Sequence, residues 1–188
     1  HGWLVSGIVD SSRSFTYTNS YTTADTRIVY RKKFLAANLF TFKPFKRFYA
    51  SVGNSIVYSD MDAHPGYLIP FLLYKSLDHT FNDRGNDGGQ NSQFFIDLSS
   101  RQINHLHLYA SLFFDDVSFT RMKENGHPDY YSLNTGLHLS NLPANFFFTL
   151  EFYQGYPLIY KHNMPTTTYE SNYYNLGHYL QDNSRSVY

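Results

Sequence analysis

Residues 131–140 read YSLNTGLHLS, and this stretch decides the fold class. Apolar side chains and one threonine occupy the odd positions, and the even positions hold Ser132, Asn134, Gly136, His138 and Ser140. Successive side chains of a β-strand point to opposite faces, so this period of two predicts a strand with one apolar and one polar face. Such a strand suits a barrel wall between lipid and a polar lumen, and a soluble β-sandwich would give the same pattern.

The next apolar stretch predicts the partner of this strand. After a short connection at residues 141–144, apolar residues alternate with polar or aromatic ones through residues 146–153, so the two strands form a hairpin. Similar alternation predicts further strands at residues 4–9, 15–21, 34–42, 48–58, 93–99 and 105–114. The sequence thus predicts about eight strands, most of them near the ~9–11 residues that a tilted membrane strand needs.

The predicted connections between these strands alternate between short and long. The long ones lie near residues 59–90, 120–130 and 154–172. Transmembrane barrels have short periplasmic turns and long outer loops, so these are the predicted outer loops of a single barrel domain over residues 1–188. Residues 67–74 are too apolar for a free loop, and we expect them to fold into the barrel mouth or to pack on a neighbour.

Composition points the same way. Aromatic residues make up 19% of the chain, with 18 Tyr and 17 Phe, which suits the aromatic girdles of a transmembrane barrel and also a soluble all-β domain. Fifteen Lys and Arg balance fifteen Asp and Glu, so no basic surface for nucleic acid is predicted. No apolar run approaches the ~20 residues of a membrane helix. We therefore predict an all-β, transmembrane antiparallel β-barrel.

Several stretches resemble the capsule assembly Wzi family, in its long members of the kind found in Bacteroidota. They are residues 45–60 (FKRFYASVGNSIVYSD), 70–82 (PFLLYKSLDHTFN), 91–100 (NSQFFIDLSS) and 160–184 (YKHNMPTTTYESNYYNLGHYLQDNS). The resemblance implies an outer-membrane β-barrel of which this chain is a segment, because full members are far longer.

The resemblance also implies a function. It suggests a non-catalytic protein of the bacterial outer membrane that binds or anchors capsular polysaccharide at the cell surface. The implied partners are outer-membrane lipid or lipopolysaccharide, a surface polysaccharide and other outer-membrane proteins. We expect no cofactor, and the family offers no short catalytic motif to carry over.

Polar residues on the predicted strands are candidates for lining the lumen. His105 and His107 lie two apart on one predicted strand, and His138 lies on the next. Together they could bind zinc or copper if a third ligand converged, but hydrogen bonding inside a lumen is the interpretation we favour, so no metal site is predicted. Asp97 and Glu151 complete the predicted lumen-lining set.

Aromatic and amide residues of the last long loop suit a carbohydrate ligand. Sugars stack on aromatic rings and exchange hydrogen bonds with amides and hydroxyls, and cations would contact an acidic glycan. The same residues would also suit an interfacial girdle or a protein contact. The predicted glycan-binding residues are Tyr156, Tyr160, Lys161, His162, Tyr169, Asn172, Tyr173 and Arg185.

Two other functions stay open from the sequence. One is a channel, or a barrel subunit of a larger secretion or uptake complex, with residues 67–74 as a docking element. The other is an outer-membrane hydrolase that uses Asp115 or Asp116 with His127. Adjacent residues of a strand point to opposite faces, which makes it hard for the two carboxylates to act on one water molecule.

Overall fold

The structure is a computed structural model that describes residues 2–18, 24–59, 65–69, 72–76, 90–115, 130–162, 165–171 and 174–188. Side-chain surroundings are described from Lys33 onward, except at positions 144 and 165. The predicted loop 120–130 lies outside these residues apart from Tyr130, and most of the predicted loop 59–90 does as well.

Strands make up nearly all of the regular structure. They are β1 (Gly2–Thr18), β2 (Ala24–Phe45), β3 (Phe48–Ser59), β4 (Gln90–Ser100), β5 (Leu106–Asp115), β6 (Tyr131–Leu139), β7 (Phe148–Gly155), β8 (Glu170–Ser171), β9 (Tyr174–Asn175) and β10 (Ser184–Val187). Short 3-10 helices lie at Pro65–Leu68, Pro143–Asn145 and Pro165–Thr167, and residues 74–76 form one helical turn. The predicted all-β fold class is confirmed. None of the helices within the described ranges has the length and hydropathy of a membrane span.

Eight strands form one sheet in the order β1-β2-β3-β4-β5-β6-β7-β10, and β8 pairs with β9 in a separate two-stranded sheet. Every pairing is antiparallel, and each strand from β1 to β7 lies beside its neighbour in the chain. The edge strands β1 and β10 do not pair with each other in the part of the chain that the structure describes, so this sheet is open.

The register gives the sheet two chemically different faces. One row of neighbouring residues runs through Thr41, Ser51, Asp97, Ser111, Asn134, Tyr153 and Ser186, and we call its face the polar face. The opposite face carries the row Phe42, Ala50, Leu98, Ala110, Thr135, Phe152 and Val187, and we call it the apolar face. The period of two in the sequence therefore continues across seven neighbouring strands.

The first two strands differ from their prediction. Residues 4–9 and 15–21 were expected as two strands, but β1 runs without a break from Gly2 to Thr18, and β2 begins at Ala24, ten residues before the predicted start. The register pairs Asp10 with Lys32 and Ser11 with Arg31. Backbone pairing thus continues through polar residues, where apolar alternation gives no indication of a strand.

From β2 to β10, connections at the two ends of the strands differ in length. Residues 46–47, 101–105 and 140–147 form short turns at one end, which we call the short-turn end. Residues 60–89, 116–130 and 156–183 leave from the other end, the long-loop end. Arg47, His105, Asn141 and Asn145 in the short turns have φ angles of 59, 63, 59 and 59°, in the left-handed region that lets a short connection reverse the chain.

The most deeply buried apolar cluster lies at the long-loop end of β2 and β3. Tyr67 and Tyr74 pack there on the apolar face, over Phe34, Ile56 and Tyr58. The Tyr67 hydroxyl donates to Gln90 Oε1 at 2.6 Å, and Asn38 Nδ2 donates to the Leu72 carbonyl at 3.1 Å. Residues 67–74, which were expected at the barrel mouth or on a neighbour, therefore cover part of the apolar face of their own chain.

Candidate functional site

The polar face is the candidate functional site, because its side chains form a hydrogen-bonded network across several strands. Ser111 donates a hydrogen bond to the Asp97 carboxylate on the neighbouring strand. Thr41 and Ser51 share a hydrogen bond of 3.0 Å in the same row. Each pair joins two strands through their side chains, which adds to the backbone pairing.

A longer contact joins β5 to β7 across β6. Tyr109, Gly136 and Glu151 are successive partners in one row, and the Tyr109 hydroxyl donates to Glu151 Oε2. A Cβ atom at Gly136 would lie 2.5 Å from the Tyr109 ring, so only glycine leaves room for the tyrosine to pass over the middle strand. Gly53 leaves the same kind of room for the ring of Phe95.

A buried polar group lies at the long-loop end of this face. Gln93 Nε2 donates to Asp115 Oδ1 at 3.2 Å, and Ser55 Oγ donates to Gln93 Oε1 at 2.9 Å. Asp115 is only 3% exposed. The structure therefore uses this carboxylate to join β3, β4 and β5, whereas Asp116 and His127 of the hydrolase hypothesis lie outside the described residues.

The last long connection folds back onto the polar face. The Tyr160 hydroxyl lies 3.0 Å from that of Tyr153, and the Tyr160 ring lies 5.7 Å from Phe113. The Tyr169 ring lies 5.2 Å from Phe113, and burial raises the pKa of Tyr169. We call residues 156–171 the polar-face loop, because these contacts cover the polar face at the long-loop end.

Lys33 fixes the polar-face loop to the sheet. Its ammonium donates to the carbonyl of Thr168, to Thr168 Oγ1 at 3.3 Å and to the Glu170 carbonyl at 2.6 Å. Lys33 is 1% exposed, and a buried ammonium is stable only when oxygen atoms replace its water shell. The loop supplies three such oxygens.

The predicted lumen-lining residues fall into two groups. Asp97, His107, His138 and Glu151 all lie on the polar face. His105 lies in the turn before β5, so the prediction that it shares a strand with His107 is wrong, because the strand begins only at Leu106. In the described ranges, no group of three or more His, Asp or Glu residues is arranged to hold a metal ion.

The predicted glycan-binding residues are not brought together in one surface. Tyr160 is 3% exposed and its ring lies in the interior of the polar-face loop, so a sugar cannot stack on it. Arg185 pairs with Gln154, which places it on the apolar face, opposite to the loop. Tyr156 and Tyr169 are half-buried. His162 Nδ1 shares a hydrogen bond of 2.9 Å with Thr167 Oγ1. Lys161 is exposed, and its Nζ atom lies 3.2 Å from Asp182 Oδ2. Asn172 and Tyr173 lie outside the described residues.

A cleft of about 460 Å³ opens at the short-turn end of the polar face. Basic side chains dominate its wall: Arg47, Arg101, His105, His107 and His138. The sequence pattern drew attention to the histidines but missed the arginines, because they lie in turns that only the fold brings side by side. Lys33 and Tyr109 were missed for a similar reason, since their partners are 135 and 42 residues away.

Comparisons with profiles of known protein families, with curated proteins and with solved structures find no match to this chain.

Proposed function

We propose that the chain forms part of the wall and lumen of an outer-membrane β-barrel that binds or anchors a surface polysaccharide without catalysis. The observation that carries this proposal is the exposed apolar face opposite a hydrogen-bonded polar face. The resemblance to the Wzi family stays a prediction that agrees with it. Further strands pairing with β1 and β10 would close the open sheet.

Away from the part that residues 67–74 cover, the apolar face carries large apolar side chains that no other element of the described residues covers. Their exposure ranges from 37% to 69% for Phe42, Val52, Leu98, Leu108, Phe148, Leu150 and Val187. Water-soluble monomers rarely expose contiguous apolar patches of more than a few hundred Å². Contact with lipid in place of water would remove the free-energy cost of exposing such a patch.

The height of the apolar face agrees with a bilayer. From Leu106 to Phe114, β5 covers about 27 Å along the strand at ~3.4 Å per residue. A strand tilt of about 40° reduces this to a height of roughly 21 Å, near the ~25 Å apolar band of outer-membrane barrels. Such a band fits the hydrocarbon core of the membrane.

Aromatic rings lie at both limits of the band, as in the girdles of membrane barrels. At the long-loop end, Tyr131 lies 6.2 Å from Phe114 and 4.2 Å from Tyr156. At the short-turn end, Phe45 lies 6.1 Å from Phe48, and Phe146 is exposed in the turn before β7. Rings at these depths would meet the lipid headgroups.

The polar-face loop supports a binding or anchoring barrel over an open channel. It covers the polar face at the long-loop end through Lys33, Tyr153 and Phe113, which would narrow a lumen there. In the segment that follows this loop in the chain, Tyr174 and Tyr179 are 78% and 66% exposed. These rings are accessible to a sugar, whereas the buried Tyr160 is not.

Nitroxide spin labels on adjacent residues test the membrane part of the proposal, since the chain has no cysteine of its own. Ser111→Cys places a label on the polar face and Leu112→Cys on the apolar face. In the intact protein reconstituted in bilayers, we expect the Leu112 label to collide with oxygen more than with a water-soluble nickel chelate. The Ser111 label should show the reverse preference.

Two results would contradict the membrane proposal. A Leu112 label that neither reagent reaches would mean that the apolar face packs against protein, as in a soluble sandwich. A Leu112 label that prefers the nickel chelate would mean that this face meets water.

The glycan part needs a separate measurement. We expect the intact protein to bind the surface polysaccharide of the cell that makes it, and the double variant Tyr174→Ala/Tyr179→Ala to bind at least about tenfold more weakly, since stacked rings are lost. Unchanged binding by this variant, with its fold intact, would remove these two rings from the site.

A further inference from the structure

The cationic cleft at the short-turn end has no function in the proposal so far. Arg47 and Arg101 come from two different turns, which the fold ties together. The Arg101 N–H donates to the Arg47 carbonyl at 2.8 Å, and Arg47 Nη1 donates to Asn104 Oδ1 at 2.9 Å. The two turns are thus tied together, and both arginines line the cleft.

Two histidines form the opposite part of the wall, on the polar face. His107 Nε2 lies 2.9 Å from Ser99 Oγ, and His138 Nδ1 lies 2.7 Å from Thr149 Oγ1. His107 and His138 are direct cross-strand partners. One nitrogen of each ring is fixed by a hydroxyl, and the second can bind a ligand.

Acidic residues are missing from the sequence around the cleft. None occurs in residues 42–49, 99–109 or 138–149, whereas Lys43 and Lys46 add two further cations. The nearest carboxylates along the strands, Asp97 and Glu151, accept hydrogen bonds from Ser111 and Tyr109. The positive charge of the cleft is therefore not neutralised by a neighbouring carboxylate at this end of the sheet.

Two residues of the cleft wall have a backbone conformation that suits glycine. Arg47 and His105 have φ angles of 59 and 63°, a conformation that glycine adopts without strain and that costs other residues of order 1 kcal/mol. Replacing either residue by glycine therefore removes the side chain without straining the backbone. Both side chains line the cleft.

We propose that this cleft binds a short acidic oligosaccharide. Guanidinium groups pair with carboxylates in a bidentate manner, and Asn104, Ser140 and the imidazoles can exchange hydrogen bonds with hydroxyls. This mixture of charged and neutral groups fits a sugar acid better than a bare inorganic anion. The volume lies within the ~300–1,000 Å³ of ligand pockets.

The inference rests on the proposed function. It adds that the bound polysaccharide is acidic, and that the polysaccharide makes a second contact at the short-turn end of the polar face. The cleft opens on the polar side, where His107 and His138 lie, and this favours a soluble ligand over the headgroup of a membrane lipid.

Calorimetry with trigalacturonate tests the cleft in the intact protein that contains this chain, extracted in detergent. We expect binding at low salt, at least about tenfold weaker binding at 0.5 M NaCl because of screening, and no binding of neutral maltotriose. The variant Arg47→Gly/His105→Gly should bind at least about tenfold more weakly while its unfolding midpoint stays equal or rises, since glycine suits both φ angles. Asn145→Gly, at a φ of 59° in the third turn, is the uncharged control and should leave binding unchanged.

Three results would overturn the inference. They are absence of trigalacturonate binding, unchanged binding by the double glycine variant, and displacement of trigalacturonate by equimolar inorganic phosphate, which would mean a simple anion site. The spin-label experiment at Ser111 and Leu112 is independent of all three, so failure of the cleft and failure of the membrane proposal are distinguishable.

Discussion

The contact between Tyr109 and Glu151 depends on the missing side chain of Gly136. We predict that Gly136→Ala lowers the free energy of unfolding by about 1–3 kcal/mol, because its Cβ atom would overlap the Tyr109 ring. Urea unfolding in detergent micelles measures the change. In the background of Tyr109→Ala, which removes the ring, the same substitution should cost less; equal costs in both backgrounds would mean that the tyrosine is not the obstacle.

His178 makes the last loop sensitive to acid. Its Nδ1 accepts the Leu180 N–H at 3.2 Å, and its ring stacks on Tyr153 with 3.6 Å between centroids. Burial lowers the pKa of His178 from 6.5, and Glu151 partly opposes this. The unfolded chain therefore takes up a proton at His178 more readily than the folded chain. The stability that neutral His178 contributes is complete above pH 6.5 and decreases as the pH falls through the folded-state pKa of His178.

We therefore predict that the Leu180 amide exchanges its hydrogen faster at pH 5.5 than at pH 7.5, after correction for the intrinsic rate. His178→Gln, whose side chain does not titrate, should abolish this difference. An unchanged difference in that variant would assign the pH dependence to another group.

At the scale of elements, Lys33 joins β2 to the polar-face loop. Lys33→Met keeps the length of the side chain but leaves the carbonyls of Thr168 and Glu170 without this donor, at a cost of about 1–3 kcal/mol. We predict faster proteolysis within residues 156–183 in this variant. Lys161→Met is the matched control, because Lys161 pairs with Asp182 at the surface and such pairs contribute roughly 0–1 kcal/mol. Equal proteolysis of the two variants would remove Lys33 as the anchor.

The sequence predicted strands well where one face is apolar, and poorly elsewhere. β6 was expected at residues 131–140 and spans Tyr131–Leu139, because Leu133, Leu137 and Leu139 all serve the apolar face. β1 was predicted as two strands, since its middle carries no apolar alternation. Six of the eight predicted strands coincide with β2 to β7, while the other two both overlap β1. The eighth strand of the sheet, β10, was missed, because with four residues it is too short to have a readable period.

The candidate site was less predictable than the strands. Parity along a strand places Asp97, His107, His138 and Glu151 on one face, which the sequence pattern could give. It could not give Tyr160 as a buried residue or Arg185 on the opposite face, because both depend on how residues 156–183 fold back. Local periodicity in the sequence carries no information about how a loop folds back onto a sheet.

For the whole molecule, the two faces should respond differently to the same charge. Leu112→Arg places a cation on the apolar face, where lipid exposure would cost about 2–4 kcal/mol. Ser111→Arg places it on the polar face, beside Asp97. From the proposed membrane function, we predict that Leu112→Arg lowers the yield of folded protein recovered in the membrane fraction, and that Ser111→Arg has a smaller effect. Similar yields for both variants would argue against lipid contact at Leu112.

The order of the strands also has a consequence for how the chain folds. From β1 to β7 each strand pairs with the one just made, so the sheet can grow by adding one hairpin at a time, and the entropy of closing each connection rises only slowly with its length. The pairing of β7 with β10 adds the last strand at one edge of the sheet, and it closes over residues 156–183, part of which covers the polar face. Docking of that loop and addition of β10 are therefore one cooperative event. The edge formed by β10 should be the first part of the sheet to open in a local unfolding fluctuation.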